Sequence, residues 1–257
     1  MSSVAPGNVR LEASWPMTET DGPTAADLVS GNDLVCADEP SRVEGPFGAS
    51  SALRCAGRST WATSRGVLQT DQSFSVAAWV RLDSGLTGAD LTMDTDWFAW
   101  TAVAQSGSYH SPFYLGARQI EYGGEGTGDY HLHWNFTVAP VDGSDDGPVD
   151  WIHAHSSQEL RGDQADQWVL LVGVYDLETE VARIFVPTQD DHGEQPLPSG
   201  WPLWQGGENV QIGQAWFRDE FVDKWPGDVG PVRFYSGVLD EEGARQILAE
   251  AQHRTEG

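Results

Sequence analysis

Apolar and polar side chains alternate with a period of two along several stretches of this chain. In residues 73–82, Phe74, Val76, Ala78 and Val80 share one face, while Ser75, Ala77, Trp79 and Arg81 take the other. That is the pattern of a strand packed on one side. Residues 167–176, 180–186 and 228–235 repeat it, and each is predicted to be a strand. Two further runs, 129–138 and 150–157, put Leu132, Trp134 and Phe136 together with Ile152 and Ala154 on one core-like face. Between them, residues 139–150 are rich in Asp, Gly and Pro and read as a long hairpin loop. Near the end of the chain, Asp240 can cap a short helix whose Ala244, Ile247 and Leu248 fall on one side. The predicted architecture is all-β: two antiparallel sheets in a sandwich, closed by a short C-terminal helix.

The strand runs at 73–82, 167–186 and 228–235 resemble the laminin-G-like jelly-roll modules of the concanavalin-A-like lectin/glucanase superfamily, as found in secreted actinobacterial proteins. Residues 11–17, 27–31, 104–107 leading to 113–116, 210–213 and 225–227 add to the resemblance, which spans about residues 9–252. It implies a jelly roll, an extracellular setting, and recognition of a glycan or a protein partner. At Gly230 and Pro231 the chain departs from the acidic residues usual in the family, so any metal ligand placed there is absent. Among such exported modules, the closeness of the two cysteines, Cys36 and Cys55, implies a disulfide. In the chain-entropy view it would contribute roughly 3 kcal/mol, a pair of buried thiols being the alternative. Calcium is the superfamily's usual ion. Glu19, Asp21 and Asp27, or the loop from Asp142 to Asp146, could offer oxygen ligands, but neither forms a recognised loop and the ion stays unplaced.

Length and charge narrow the picture further. The 257 residues suit one large sandwich, and a single domain over residues 1–257 is expected, with an ordered core over about 9–252. Against 14 basic residues stand 39 acidic ones, a net charge of −25 that repels phosphate backbones and makes nucleic acid a poor partner. No stretch approaches the roughly 20 apolar residues of a membrane span, and the first residues carry no signal-peptide pattern. With the resemblance's habit of export, the expectation is a secreted, processed piece of a longer protein or assembly.

The sharpest local chemistry is a pair of His-x-His motifs, His131 with His133 and His153 with His155. A hairpin closed near Gly143 would set His131 opposite His155, His133 opposite His153, and Asn135 opposite Trp151. Four imidazoles so placed could hold a transition metal, though a flat sheet face presents them side by side rather than around a tetrahedron. The same face, with Trp151 and Asn135, could instead contact a sugar or a partner. Tryptophan is abundant, 12 in all. Trp79 and Trp168 fit structural positions, whereas Trp97, Trp100, Trp151, Trp201 and Trp204 lie in looser segments where an indole can stack on a sugar ring. Trp201 and Trp204, in a Pro- and Gly-rich loop, are the strongest of these, with clamping of the loop as the alternative role.

A retaining glycosidase needs two carboxylates about 5–5.5 Å apart, and no predicted strand carries such a pair. Asp94 and Asp96 stand in a polar stretch, and Asp219, Glu220 and Asp223 read as an exposed hairpin turn. Nucleophile-elbow, zinc-helix and phosphate-loop motifs are missing from the sequence. The expectation is therefore a non-catalytic recognition module. The alternative is a glycan-active hydrolase or lyase, or an accessory domain of one.

Overall fold

A computed structural model describes residues 9–37, 40–48, 51–56, 59–86, 99–122, 127, 129–143 and 150–253. The strands begin with β1 (Arg10–Trp15), β2 (Thr24–Ala25), β3 (Leu34–Cys36), β4 (Arg42–Glu44), β5 (Ser51–Arg54) and β6 (Trp61–Ala62). The longer ones follow: β7 (Phe74–Leu82), β8 (Ala99–Gln105), β9 (Phe113–Tyr122), β10 (Asp129–Val138), β11 (Ile152–Glu159), β12 (Val169–Asp176) and β13 (Val181–Val186). The last are β14 (Asp191–Pro196), β15 (Val210–Ile212), β16 (Ala215–Phe217), β17 (Glu220–Val222) and β18 (Gly227–Ser236), and helix α1 (Glu241–His253) ends the series. The four alternating runs at 73–82, 167–176, 180–186 and 228–235 correspond to β7, β12, β13 and β18.

One sheet runs β14-β13-β12-β7-β18-β5-β4, with β1 also paired to β18. The other runs β11-β10-β9-β8-β15-β6-β3-β2, and β16 and β17 form a separate hairpin. Both ladders are antiparallel throughout, so the chain is a two-sheet jelly roll. Between the sheets, Trp15, Trp61, Trp134, Trp225, Phe74, Phe113, Phe136 and Phe234 are fully buried. Their rings interlock: Phe74 lies 5.2 Å from Phe113 and 5.3 Å from Tyr175, and Trp15 meets Phe234 edge-on at 5.4 Å. Each such ring contributes roughly 1.5–3 kcal/mol by leaving water. Gly173 on β12 leaves the space that the Phe136 ring of the opposite sheet fills.

The first sheet departs from the one-sided burial that its alternation predicts. Ser75, Ala77 and Trp79 on the second face of β7 are buried too. The cause is α1, which lays Ala244 and Ile247 on Ala77, Trp79, Leu170, Val172 and Tyr235. Asp240 caps the helix as expected, its Oδ1 accepting from Gly243 N at 2.8 Å. Gly230 and Pro231 stand where the β18–β7 register shifts, between Val229 and Val232. Proline has no N–H for a ladder, and a bulge is one of the few places a central strand tolerates it.

The expected disulfide is not formed. Cys36 ends β3 in one sheet, Cys55 follows β5 in the other, and both pack as small apolar side chains in the common core. Burial pushes the Cys55 thiol well above its ordinary range, and neighbouring Asp228 and Cys36 push it the same way. No helix among the described residues is long and apolar enough to cross a membrane.

Candidate ligand-binding site

The outer face of the second sheet carries the polar positions of β9, β10 and β11, because Leu115, Ala117, Leu132, Trp134, Phe136, Ile152 and Ala154 turn inward. The β10–β11 register is displaced by four residues from the expected one: His155 pairs with Asn135 and His153 with Thr137. An even displacement keeps every side chain on its predicted face but changes its neighbours. An irregularity between His133 and Asn135 sets His133 opposite Glu159. Ser156 occupies that irregularity, with its hydroxyl accepting from Trp134 N at 3.2 Å and its carbonyl 2.9 Å from His133 Nδ1.

The four histidines consequently do not form a block. His131 is held by Glu159 and Asp129, its Nε2 3.0 Å from Asp129 Oδ1. The hydrogen bond to Glu159 is the main reason its pKa is raised. His133 receives the Tyr122 hydroxyl on Nε2 at 3.0 Å, and burial lowers its pKa. His155 packs on His133 with ring centres 5.1 Å apart. His153 belongs elsewhere, in the cleft described next. Among the described residues no group of three or more His, Cys, Asp or Glu side chains is gathered as a metal site.

His131 and His133 line a polar groove of about 550 Å³ with Tyr122, Asp129, Glu159 and Arg161, whose charged groups already pair with one another. A second depression, about 630 Å³, has a different character. Its aromatic walls are Tyr114 on β9, Trp151 just before β11 and Phe217 at the end of β16. Trp151 lies 5.6 Å from Tyr114 and 5.8 Å from Phe217, with buried His110 edge-on behind it at 5.1 Å. The β16–β17 hairpin forms one wall. It is pinned to the sheet by bridges from His110 to Phe217 and from Thr101 to Lys224.

Polar groups converge between these rings. Arg118 and Thr137 rise from β9 and β10, His153 from β11, and Asp223 from the segment leaving β17. Asp223 has left-handed backbone (φ 54°), and its carbonyl accepts from Thr101 N at 2.7 Å, which turns the side chain back into the cleft. Burial pushes its carboxyl up to about 6 despite the opposing charge of Arg118. Burial, with Arg118 and His155 acting in the same sense, pushes the His153 imidazole down to about 3. Desolvation raises the Tyr114 hydroxyl out of its usual range; it donates to Trp216 O at 2.9 Å and accepts from Ser111 N at 3.1 Å.

Of the predicted contact residues, the structure brings Trp151 and His153 into this cleft. Asn135 is buried beneath it, with Nδ2 donating to Ala154 O at 3.1 Å. Trp201 and Trp204 take the clamping geometry: Trp201 Nε1 donates to Tyr175 Oη at 2.8 Å and Trp204 Nε1 to Ala139 O at 2.9 Å. Trp100 is buried in the core. Trp97, Asp94, Asp96, Asp145 and Asp146 lie outside the described residues. Asp223 does not share the exposed hairpin turn expected of it; only Asp219 and Glu220 sit at that turn. Tyr114 and Arg118 were legible as one polar strand face at i, i+4, but nothing in the sequence marks Asp223.

In both acidic stretches described carboxylates bond to the backbone around them. Asp27 is spent on Ser14 N, Val29 N, Ser30 and Asn32 N. Glu19 accepts from Ala26 N, and Asp142 from the backbone of Ser108, Tyr109 and His110.

Fold and cleft together define an antiparallel jelly-roll sandwich with an aromatic-walled depression on one sheet. The laminin-G-type model of the concanavalin A-like lectin/glucanases superfamily matches residues 56–243, and the chain belongs to that superfamily. A search of curated proteins returns no match. Among solved structures, domain 4 of AbnA, a GH43 extracellular arabinanase from Geobacillus stearothermophilus in complex with arabinotriose, is similar at TM-score 0.58 and 16% identity. The alignment covers 93% of this chain and 98% of that one. A botulinum neurotoxin serotype D/C binding domain aligns at TM-score 0.58 and 10% identity over 95% of this chain and 52% of its own. A Trypanosoma rangeli sialidase aligns at TM-score 0.54 and 11% identity over 94% of this chain and 33% of its own. At such identities the likeness is one of fold.

Proposed function

We propose that this chain is a non-catalytic, extracellular recognition domain that binds a glycan in the cleft between Trp151, Tyr114 and Phe217. The observation that carries the reading is the convergence of Arg118, His153 and Asp223 inside an aromatic-walled depression. A pyranose or furanose ring has an apolar C–H face for an indole and a rim of hydroxyls for such polar groups. The arabinotriose held by the similar arabinanase domain supports a sugar as ligand. Binding of the chain to a glycan array, lost in Trp151→Ala with an unchanged circular dichroism spectrum, is the expected result. An array on which the wild type binds nothing overturns it and leaves a protein partner.

One observation favours a second reading, a glycan-cleaving enzyme. Asp150 and Asp223 both line the cleft, and Asp223 has the raised pKa of a general acid. Against it, Tyr114 is committed to two backbone partners and His153 is too weakly basic to take a proton near neutrality. Turnover on a polysaccharide panel that vanishes in Asp223→Asn would establish the enzyme.

A further inference from the structure

The hydrogen-bonding sense of the cleft is fixed by a relay beneath it. Asn135 Nδ2 donates to Ala154 O, so Asn135 Oδ1 is an acceptor and takes the Thr137 hydroxyl proton at 2.5 Å. With that proton committed, His153 Nδ1, 2.8 Å from Thr137 Oγ1, must itself be the donor. Nε2 therefore presents a lone pair, and no described residue bonds to it. Asp223 adds a second acceptor: it is half-buried at the cleft, and among the described residues no hydrogen bond reaches its carboxylate. Both acceptors are therefore open to a donor that a ligand brings.

Groups of opposite sense share the cleft. Arg118 from β9 and Arg218 from the β16–β17 turn face the cleft, but each has interactions of its own. Asp150 adds another carboxylate at the rim, and the Tyr114 hydroxyl is fully used. A sugar carboxylate placed on the His153 and Asp223 side of the cleft would meet two acceptors, with Arg118 and Arg218 offset by Asp223 and Asp150.

Resting on the glycan reading, we propose that the cleft selects an uncharged sugar residue, whose hydroxyls donate to Asp223 and to His153 Nε2 while its C–H face lies on Trp151, over an acidic sugar. The ionised Asp223 carboxylate accepts these hydroxyls most strongly, and protonation turns one of its oxygens into a donor. A ligand held this way is released as the pH falls through about 6, the opposite of what a uronate or sialate would do.

The test is a calorimetric titration of the full chain with neutral trisaccharides (arabinotriose, xylotriose, cellotriose) and with trigalacturonate and sialyllactose. It is run at about pH 8 and about pH 5, on the wild type and on Asp223→Asn, with a thermal melt confirming that the variant folds. The expected result is binding of at least one neutral trisaccharide near pH 8, weakened about tenfold or more near pH 5 and in Asp223→Asn near pH 8. Tighter binding of trigalacturonate or sialyllactose, increasing near pH 5 or in Asp223→Asn, overturns the proposal while leaving the glycan reading intact. Neutral-sugar binding indifferent to both pH and the substitution overturns it equally. Failure of every sugar at both pH values sinks the glycan reading itself.

Discussion

His153 Nδ1 stands 2.8 Å from Thr137 Oγ1 across the β10–β11 ladder, and this pairing places an unprotonated ring nitrogen in the cleft. The contact exists because the strands meet four residues away from the register that a hairpin closed at Gly143 would give.

The first prediction concerns that tautomer. Burial and the Arg118 charge push the His153 pKa down to about 3. Long-range proton–nitrogen NMR should show its Nδ1 protonated and Nε2 bare, without titration between about pH 5 and pH 8. His131, whose pKa is raised by Glu159, should remain protonated to higher pH in the same spectra. A His153 signal that titrates near its ordinary value would contradict the buried, Thr137-bonded ring.

Asp223 should oppose stability near neutrality. Its folded-state pKa, about 6, lies above that of an unfolded aspartate, so the folded chain binds the proton more tightly. Stability contributed by this group is then complete only below about pH 4 and is lost as the pH rises through about 6. Asp223→Asn is expected to raise stability near pH 7 by on the order of 1–2 kcal/mol, an increase of roughly 2–8 °C in melting temperature for a chain of this size, and to do little near pH 4. Melting curves of both proteins at the two pH values measure it.

Trp151→Ala should weaken glycan binding by roughly 10-fold, in keeping with a stacking contribution of about 0.5–1.5 kcal/mol. Its neighbours His110 and Phe217 remain packed on each other, ring centres 5.0 Å apart, and the Tyr114 hydroxyl keeps its backbone partners, so the melting temperature should change much less than binding does. Trp201→Ala separates the two roles of tryptophan: it removes a bond to Tyr175 and should lower stability while leaving affinity unchanged.

The cysteines offer a direct chemical check. Alkylation under non-reducing conditions should label both Cys36 and Cys55 in the unfolded chain, and neither in the folded one, because both are buried and Cys55 is held as a thiol. A mass two hydrogens lower with no labelling after unfolding would restore the disulfide.

Gly173→Ala tests the core. A Cβ at this position would run into the Phe136 ring, and the substitution should cost about 1–3 kcal/mol by overpacking. Denaturant unfolding reads the loss.

The sequence by itself determined the strands and their faces. Alternation with a period of two is a local property, and β7, β10, β12, β13 and β18 lie where it put them, with Phe74, Val76, Trp134 and Phe136 turned to the core. The Asp240 cap was legible for the same reason, since a helix end is specified within four residues. Tertiary structure alone decided the β10–β11 register, the second burial of β7 under α1, and the fate of the cysteines. It also brought Asp223 from the far side of a distant hairpin to within reach of Arg118, His153 and Trp151. Each of these depends on which surfaces meet after the sheets close, and period-two alternation is unchanged by an even shift or by a partner arriving from a hundred residues away.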